Sequence, residues 1–313
     1  MTALAVWRAD AVPVEGGGLV LGVAGDADGP AVLALHGTTA SHRAFTALAR
    51  RIPDHLLVAP DLRGRGRSAE LPPPYGLRRH ADDLEAVLDA IGEEPVTVVG
   101  HSLGAFVAVA LAARAPERVA RLVLVDGGMP LRPSADRPVA EEVAAVLGPA
   151  AERLRTVFPS RDDYHAFWRA HPAMGPAWGA DLADYADYDL VEVPGGFRPA
   201  TAERAVLEDG AELYGPDWYL DALRGIRVPV TVLRAPRDLL DREGGLYPPG
   251  VLDDAARLVP QLELVDVADV NHYTILVDGP GLDAVVAAIA APPHPEPPRP
   301  SASPAPTETK ESR

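Results

Sequence analysis

Residues 96–128 read VTVVGHSLGAFVAVALAARAPERVARLVLVDGG. Two short β-branched runs, 96–99 and 122–125, flank a segment that is apolar on almost every side, through Leu103, Phe106, Val107, Ala110 and Leu111. A helix with no polar stripe has to be buried rather than half-exposed. The flanking runs are apolar nearly throughout, as strands buried on both faces of a parallel sheet are. Similar runs occur at 31–35, 56–59, 230–233 and 262–267. Between them lie stretches of helical period, such as Leu84, Val87, Leu88 and Ile91 with Gly92 as the stop. Strands alternating with helices imply a doubly wound α/β sheet.

The alternation breaks from about Leu131 to Ile226. No buried strand is read there, only helical fragments at 139–147 and Arg161–Ala170 broken by proline and glycine. Trp168, Trp178 and Trp218 fall in this stretch, with Tyr164, Tyr185, Tyr188, Tyr214 and Tyr219. An aromatic-rich insertion between two core strands reads as a lid, because ligand pockets are largely apolar and aromatic. Its acidic cluster, Asp181, Asp184, Asp187 and Asp189, fits no calcium loop and reads as a solvated face. From Pro292 the chain is rich in proline, serine and charge, and is expected to be a disordered tail.

Composition narrows the function. The 313 residues include no cysteine, which removes disulfides, thiolate metal sites and a cysteine nucleophile together. A net charge of −16 with no basic cluster argues against nucleic-acid binding. No apolar run reaches ~18 residues, and the first ten lack a secretory pattern, so a cytoplasmic protein with no membrane partner is expected.

Chemistry centres on Gly100-His101-Ser102-Leu103-Gly104. Ser102 stands after a buried strand and before a buried helix, the context that turns a common pentapeptide into a nucleophile turn. The turn is sharp and strained, and glycine tolerates both the strain and close neighbours. The serine hydroxyl needs a histidine base oriented by a carboxylate, on loops after later strands in the order serine, acid, histidine. His272, in NHYTIL, is the only histidine between the last strand and the tail. Asp238, in RAPRDLLD, is the leading acid; Asp241 and Asp126 remain alternatives, the latter after an earlier strand. The backbone N–H of Leu103 is expected to bind the oxyanion. A second donor is expected from His36-Gly37-Thr38, through the Thr38 N–H. His36 and His101 are read as shaping loops.

The blocks LHGTTASHRAF, VAPDLRGRGRS, VGHSLGAFVAVALAARAPERVARLVLVDGG and NHYTIL resemble, in order, those of the α/β-hydrolase superfamily, in its lid-bearing Gly-His-Ser-X-Gly branch. The resemblance implies an eight-stranded, mostly parallel sheet of order 1-2-4-3-5-6-7-8 flanked by helices, with a helical lid inserted after strand 6. Residues 1–130 and 227–291 would form the core, 131–226 the lid and 292–313 the tail. It also implies Ser102 as nucleophile, Asp238 as acid, His272 as base, and Thr38 and Leu103 as oxyanion donors. The arginines of DLRGRGRS are read as organising loops. Ala235 stands where the family's acid loop often has glycine. A serine rather than an aspartate nucleophile disfavours dehalogenase and epoxide-hydrolase chemistry. The expected function is hydrolysis of a small uncharged carboxylic ester or lactone, with no cofactor and no metal. The alternatives are a C–C bond hydrolase of a vinylogous diketone and a receptor-like ligand-binding fold. The sequence names neither the substrate nor an oligomeric state.

Overall fold

The computed structural model describes residues 7–132, 141, 152–247 and 250–292. Apart from residue 141, the helical fragment expected over 139–147 lies outside these residues, as does the chain from 293. The described residues form ten strands: β1 (Arg8–Val14), β2 (Gly17–Gly25), β3 (Ala31–Leu35), β4 (Leu56–Pro60), β5 (Val96–His101), β6 (Val119–Val125), β7 (Leu190–Val193), β8 (Gly196–Pro199), β9 (Val230–Arg234) and β10 (Leu262–Asp266). Eight of them form one sheet in the order β1-β2-β4-β3-β5-β6-β9-β10, while β7 and β8 pair as a separate hairpin. Only β2 runs antiparallel, to both β1 and β4; the other pairs are parallel. The eight sheet strands, counted in sequence, thus follow the expected order.

The helices are α1 (Thr46–Arg51), α2 (Leu77–Ile91), α3 (Leu103–Arg114), α4 (Arg161–Ala170), α5 (Ala180–Asp189), α6 (Glu203–Glu212), α7 (Asp217–Gly225), α8 (Asp253–Leu258) and α9 (Gly279–Ala290). Successive side chains of a strand point to opposite faces, and here both faces are covered. Leu33, Leu35, Val98, Leu122 and Leu124 pack under α2, α3 and α7 in one core. Val32, Ala34, Val99, Val123 and Val125 pack with α1 and α9 in another. That double burial is why the central strands carry no polar alternation. Each fully buried Val, Leu or Phe contributes about 1.5–3 kcal/mol.

The edges read differently. β1 buries only Val12, and β10 leaves Leu264 exposed, because an edge strand has a neighbour on one side only. The segment between β6 and β9 contributes α4, α5, the β7–β8 hairpin and α6, followed by α7. Phe158, Tyr164, Trp168 and Tyr185 form a small core of their own there. α7 instead packs on the sheet's cover through Tyr219 and Leu223. Among the described residues no helix is long and apolar enough to cross a membrane.

Candidate active site

The carboxyl ends of β3, β5 and β6, neighbours in the sheet, carry the first three parts of the site. Ser102 follows β5 with φ 53° and ψ −122°. It is one of four non-glycine residues at positive φ among those described; Asp126, directly after β6, is another at φ 44°. Such conformations cost about 1–3 kcal/mol each and persist only where the surroundings over-determine them. Here the ladder bonds run on past the strand ends. Ser102 N–H donates to Val125 O at 3.0 Å, and Asp126 N–H donates to Leu233 O at 2.8 Å. The glycines around the serine are required by close approach: a Cβ on Gly104 would lie 1.9 Å from Leu35 O, and one on Gly100 2.4 Å from Gly104 O.

His272 is buried, and its Nδ1 lies 2.6 Å from Asp126 Oδ2. Facing a carboxylate, Nδ1 carries the proton, which leaves Nε2 free to accept one. The backbone of His272 is held from both sides. Its N–H donates to Arg237 O at 3.0 Å, and its carbonyl accepts from His101 Nε2 at 2.8 Å. The second oxygen of Asp126 accepts the Ala235 N–H at 3.1 Å, so the end of β9 pins the carboxylate.

The carboxylate that meets His272 is therefore that of Asp126 and not that of Asp238, the expected acid. Asp238 is occupied within its own loop. Oδ1 accepts the N–H groups of Leu240 at 2.8 Å and Arg242 at 3.0 Å, and Oδ2 meets Arg242 Nε at 2.9 Å. Asp241 Oδ1 takes Asn271 Nδ2 at 3.0 Å and lies 2.9 Å from Arg237 Nε. The adjacency of β6 and β9 brings both loops to the same edge of the site, and the strained turn at Asp126 aims its carboxylate at the imidazole.

His36, Gly37 and Thr38 follow β3. The Leu62 N–H donates to His36 Nε2 at 3.0 Å, so His36 carries its proton on Nδ1 and donates it to Gly37 O at 2.8 Å. Gly37 O and Thr38 N–H belong to one peptide plane, so this bond orients the N–H expected to bind an oxyanion. A Cβ on Gly37 would sit 3.2 Å from Ser102 Cβ, which shows how closely the loop approaches the serine. Leu103 is the first residue of α3, and an N–H in a helix's first turn has no intrahelical partner. Burial lowers His36 to about 4 and, with the adjacent His272, His101 to about 3. Both are neutral shaping groups at neutral pH.

Ser102, His272, Thr38 and Gly37 open onto one cavity with about 1070 Å³ of empty space, its open mouth included. Its walls are mostly apolar. Leu239 and Leu246 come from the β9 loop, and Met174, Leu182, Tyr185 and Leu213 from the inserted segment. Two charged side chains reach it, Arg43 and Asp181. Each is paired elsewhere: Arg43 Nη1 to Asp184 Oδ2 at 2.9 Å, Asp181 Oδ1 to Arg50 Nη1 at 2.9 Å.

Residues 30–279 match the family model of the alpha/beta hydrolase fold. The chain belongs to that family. Lipase LipV of Mycobacterium tuberculosis is 43% identical over 129 residues, 40% of this chain and 49% of the lipase, so the match spans about half the relative's length. The 2-(acetamidomethylene)succinate hydrolase of Mesorhizobium japonicum is 26% identical over 83% of this chain and 87% of its own. A crystal structure of E-2-(acetamidomethylene)succinate hydrolase shares the fold, with TM-score 0.75 and 24% identity over 91% of this chain and 100% of that one.

Other sequence expectations resolve in the segment inserted between β6 and β9. The four aspartates each meet a cation: Asp181 with Arg50, Asp184 with Arg43, Asp187 with Arg161, and Asp189 with buried Arg153. They bind the insertion to the core and to itself rather than forming a solvated face. Among the described residues no cluster suited to a metal ion occurs. Of the insertion's tryptophans and tyrosines, Tyr185 lines the cavity; Tyr188 donates to Asp61 at 2.7 Å, and Tyr219 donates to Gly128 O at 2.7 Å. Arg65, one of the DLRGRGRS arginines expected to organise loops, meets Asp209 beside the Thr38 loop. Asp209 is absent from the sequence reading, because nothing in the pattern of α6 marks it as buried.

Proposed function

We propose that this hydrolase cleaves a small uncharged carboxylic ester or lactone through an acyl-enzyme on Ser102. The observation that carries this reading is the buried 2.6 Å contact of His272 Nδ1 with Asp126, with the imidazole and Ser102 facing one apolar cavity. Ser102 Oγ attacks the carbonyl carbon as its proton passes to His272 Nε2. Asp126 holds the ring and stabilises the imidazolium. The N–H groups of Thr38 and Leu103 take the negative charge that develops on the carbonyl oxygen, an interaction made in the transition state and so able to raise rate. His272 returns the proton to the leaving oxygen, then activates a water that releases the acid. The inserted segment acts as a lid that excludes solvent.

Neutral substrates are favoured because the cavity's two charged side chains are already paired. LipV, whose name gives a lipase, supports ester chemistry. The test is Ser102→Ala against an ester panel, with fluorophosphonate labelling as a second readout. Both signals disappear if the serine is the nucleophile; turnover persisting in the variant sinks the assignment.

Arg43 at the cavity wall favours a second reading, in which a substrate carboxylate displaces Asp184 from the guanidinium. The Mesorhizobium relative, named for hydrolysing a succinate derivative, fits it. A half-ester of succinic acid hydrolysed faster than its neutral diester would favour this second reading over the first.

A further inference from the structure

The oxyanion loop is held by two consecutive peptide planes. His36 fixes the first through Gly37 O. The second is fixed by Arg65, whose Nε donates to Thr38 O at 2.9 Å. With both planes held, the backbone angles of Thr38 between them are set, and so is the direction of its N–H. Arg65 is fully buried, and its own position depends on the inserted segment. Its Nη1 lies 2.5 Å from Oδ2 of Asp209 in α6 and donates to Arg63 O at 2.9 Å. Asp209 is also fully buried; it accepts the Gly76 N–H at 2.6 Å and meets His80 Nε2 at 2.9 Å. Ala202 N–H, just ahead of α6, donates to Gly64 O at 2.8 Å. Arg153 makes a weaker second link, its Nη2 lying 3.5 Å from Thr39 O.

The pair is poorly explained as a stability device. Arg65 Nη2 is buried with no hydrogen-bond partner among the described residues. Taking two charges out of water is expensive, and buried ion pairs are often matched or exceeded by apolar replacements. Burial opposes ionisation of Asp209, and Arg65 and His80 outweigh it, holding the carboxyl below its ordinary range. The charge is retained at a place where its geometric consequence is the Thr38 carbonyl.

We infer that Arg65, held by Asp209 of the inserted segment, is a positioning residue for the Thr38 oxyanion donor, so that the insertion sets the rate of the chemical step as well as covering the cavity. The inference rests on the acyl-enzyme reading above. A lysine at 65 keeps the charge beside Asp209 but offers no planar fork to reach Asp209 and Thr38 O together.

The experiment measures kcat per competent serine, counted by end-point fluorophosphonate titration, in wild type, Arg65→Lys and Asp209→Asn. Arg63→Lys is the control. Arg63 lies two residues away, equally buried and bidentate to Asp83 at 2.7 and 2.8 Å, but touches no part of the Thr38 loop. Displacement of a catalytic group by about 1 Å costs up to ~100-fold, so Arg65→Lys is expected to lower kcat per serine by about 10- to 100-fold with little change in KM. Affinity for an alkyl boronic acid, which forms a tetrahedral anion on the serine, falls in parallel. Arg63→Lys lowers Tm and leaves kcat per serine within about twofold. An unchanged ratio in Arg65→Lys, or an equal loss in Arg63→Lys, overturns the inference. If Arg65→Lys does not fold, Asp209→Asn is read by the same ratio; failure of both to fold assigns the pair to stability and overturns it too. A wild-type chain that neither takes up fluorophosphonate nor turns over ester sinks the acyl-enzyme reading instead.

Discussion

At the scale of single residues, the decisive choice is between two aspartates. Asp126 is fully buried and gives one oxygen to His272 and the other to the Ala235 N–H. Asp238 caps its own turn and meets Arg242. Asp126→Asn keeps the shape of the acid but presents an amide to Nδ1, favouring the wrong tautomer, and is expected to lower kcat by about 10⁴-fold. Asp238→Asn should leave kcat within about tenfold and act mainly on Tm. Steady-state kinetics of the two variants side by side decide the matter; a reversed order would return the role to Asp238. The serine, the histidine and the Thr38 loop were legible because each follows an apolar run with a recognisable residue at its end. The acid was not. Two strands that are neighbours in space, β6 and β9, both end in loops that carry an aspartate, and linear order does not say which carboxylate turns inward.

The elements most legible in the sequence are the ones buried on both faces, although the edge strand β10 and the half-buried α2 also carry a readable apolar pattern. β3, β5, β6 and α3 announce themselves as apolar runs because no side of them meets water. β1, β2 and the β7–β8 hairpin escaped notice, since partial exposure and glycines dilute their pattern. At Gly104, α3 comes against the end of β3 with no room for a side chain. Gly104→Ala places a methyl 1.9 Å from Leu35 O, a backbone atom that cannot move without shifting the oxyanion loop. The substitution is expected to cost more than about 3 kcal/mol, beyond ordinary overpacking. Denaturant unfolding reads the stability loss, and fluorophosphonate labelling of the fraction still folded reads the displaced loop. Labelling at the wild-type rate with an unchanged unfolding midpoint would show that α3 slides at no cost.

Across the whole molecule, buried titratable groups tie stability to pH. His36 is lowered from 6.5 to about 4 by burial, so between those values the unfolded chain binds a proton that the folded one refuses. Stability is full above pH 6.5 and falls as the pH drops toward 4. At about 1.4 kcal/mol per pKa unit, His36 alone accounts for on the order of 3 kcal/mol. His101 acts in the same direction, down to about 3. Asp61 adds a loss at lower pH. Burial works against its charge, but His42 outweighs that and brings it from 3.8 to about 2, so its contribution is lost as the pH falls through that window. Urea midpoints measured from pH 8 to 3 should decline from pH 6.5 downward, and His36→Asn should flatten the upper part of the slope. A midpoint that stays level to pH 4.5 would contradict the burial of these imidazoles.

The loop after β9 has one more consequence. The stretch from Pro236 to Leu246 contributes Leu239 and Leu246 to the cavity wall, while its Arg237 carbonyl accepts the His272 N–H at 3.0 Å. Substitutions at Leu239 and Leu246 that keep Arg237 in place are expected to retune what the cavity accepts without disturbing the His272–Asp126 contact, which makes these two positions a natural entry point for laboratory evolution of new substrates.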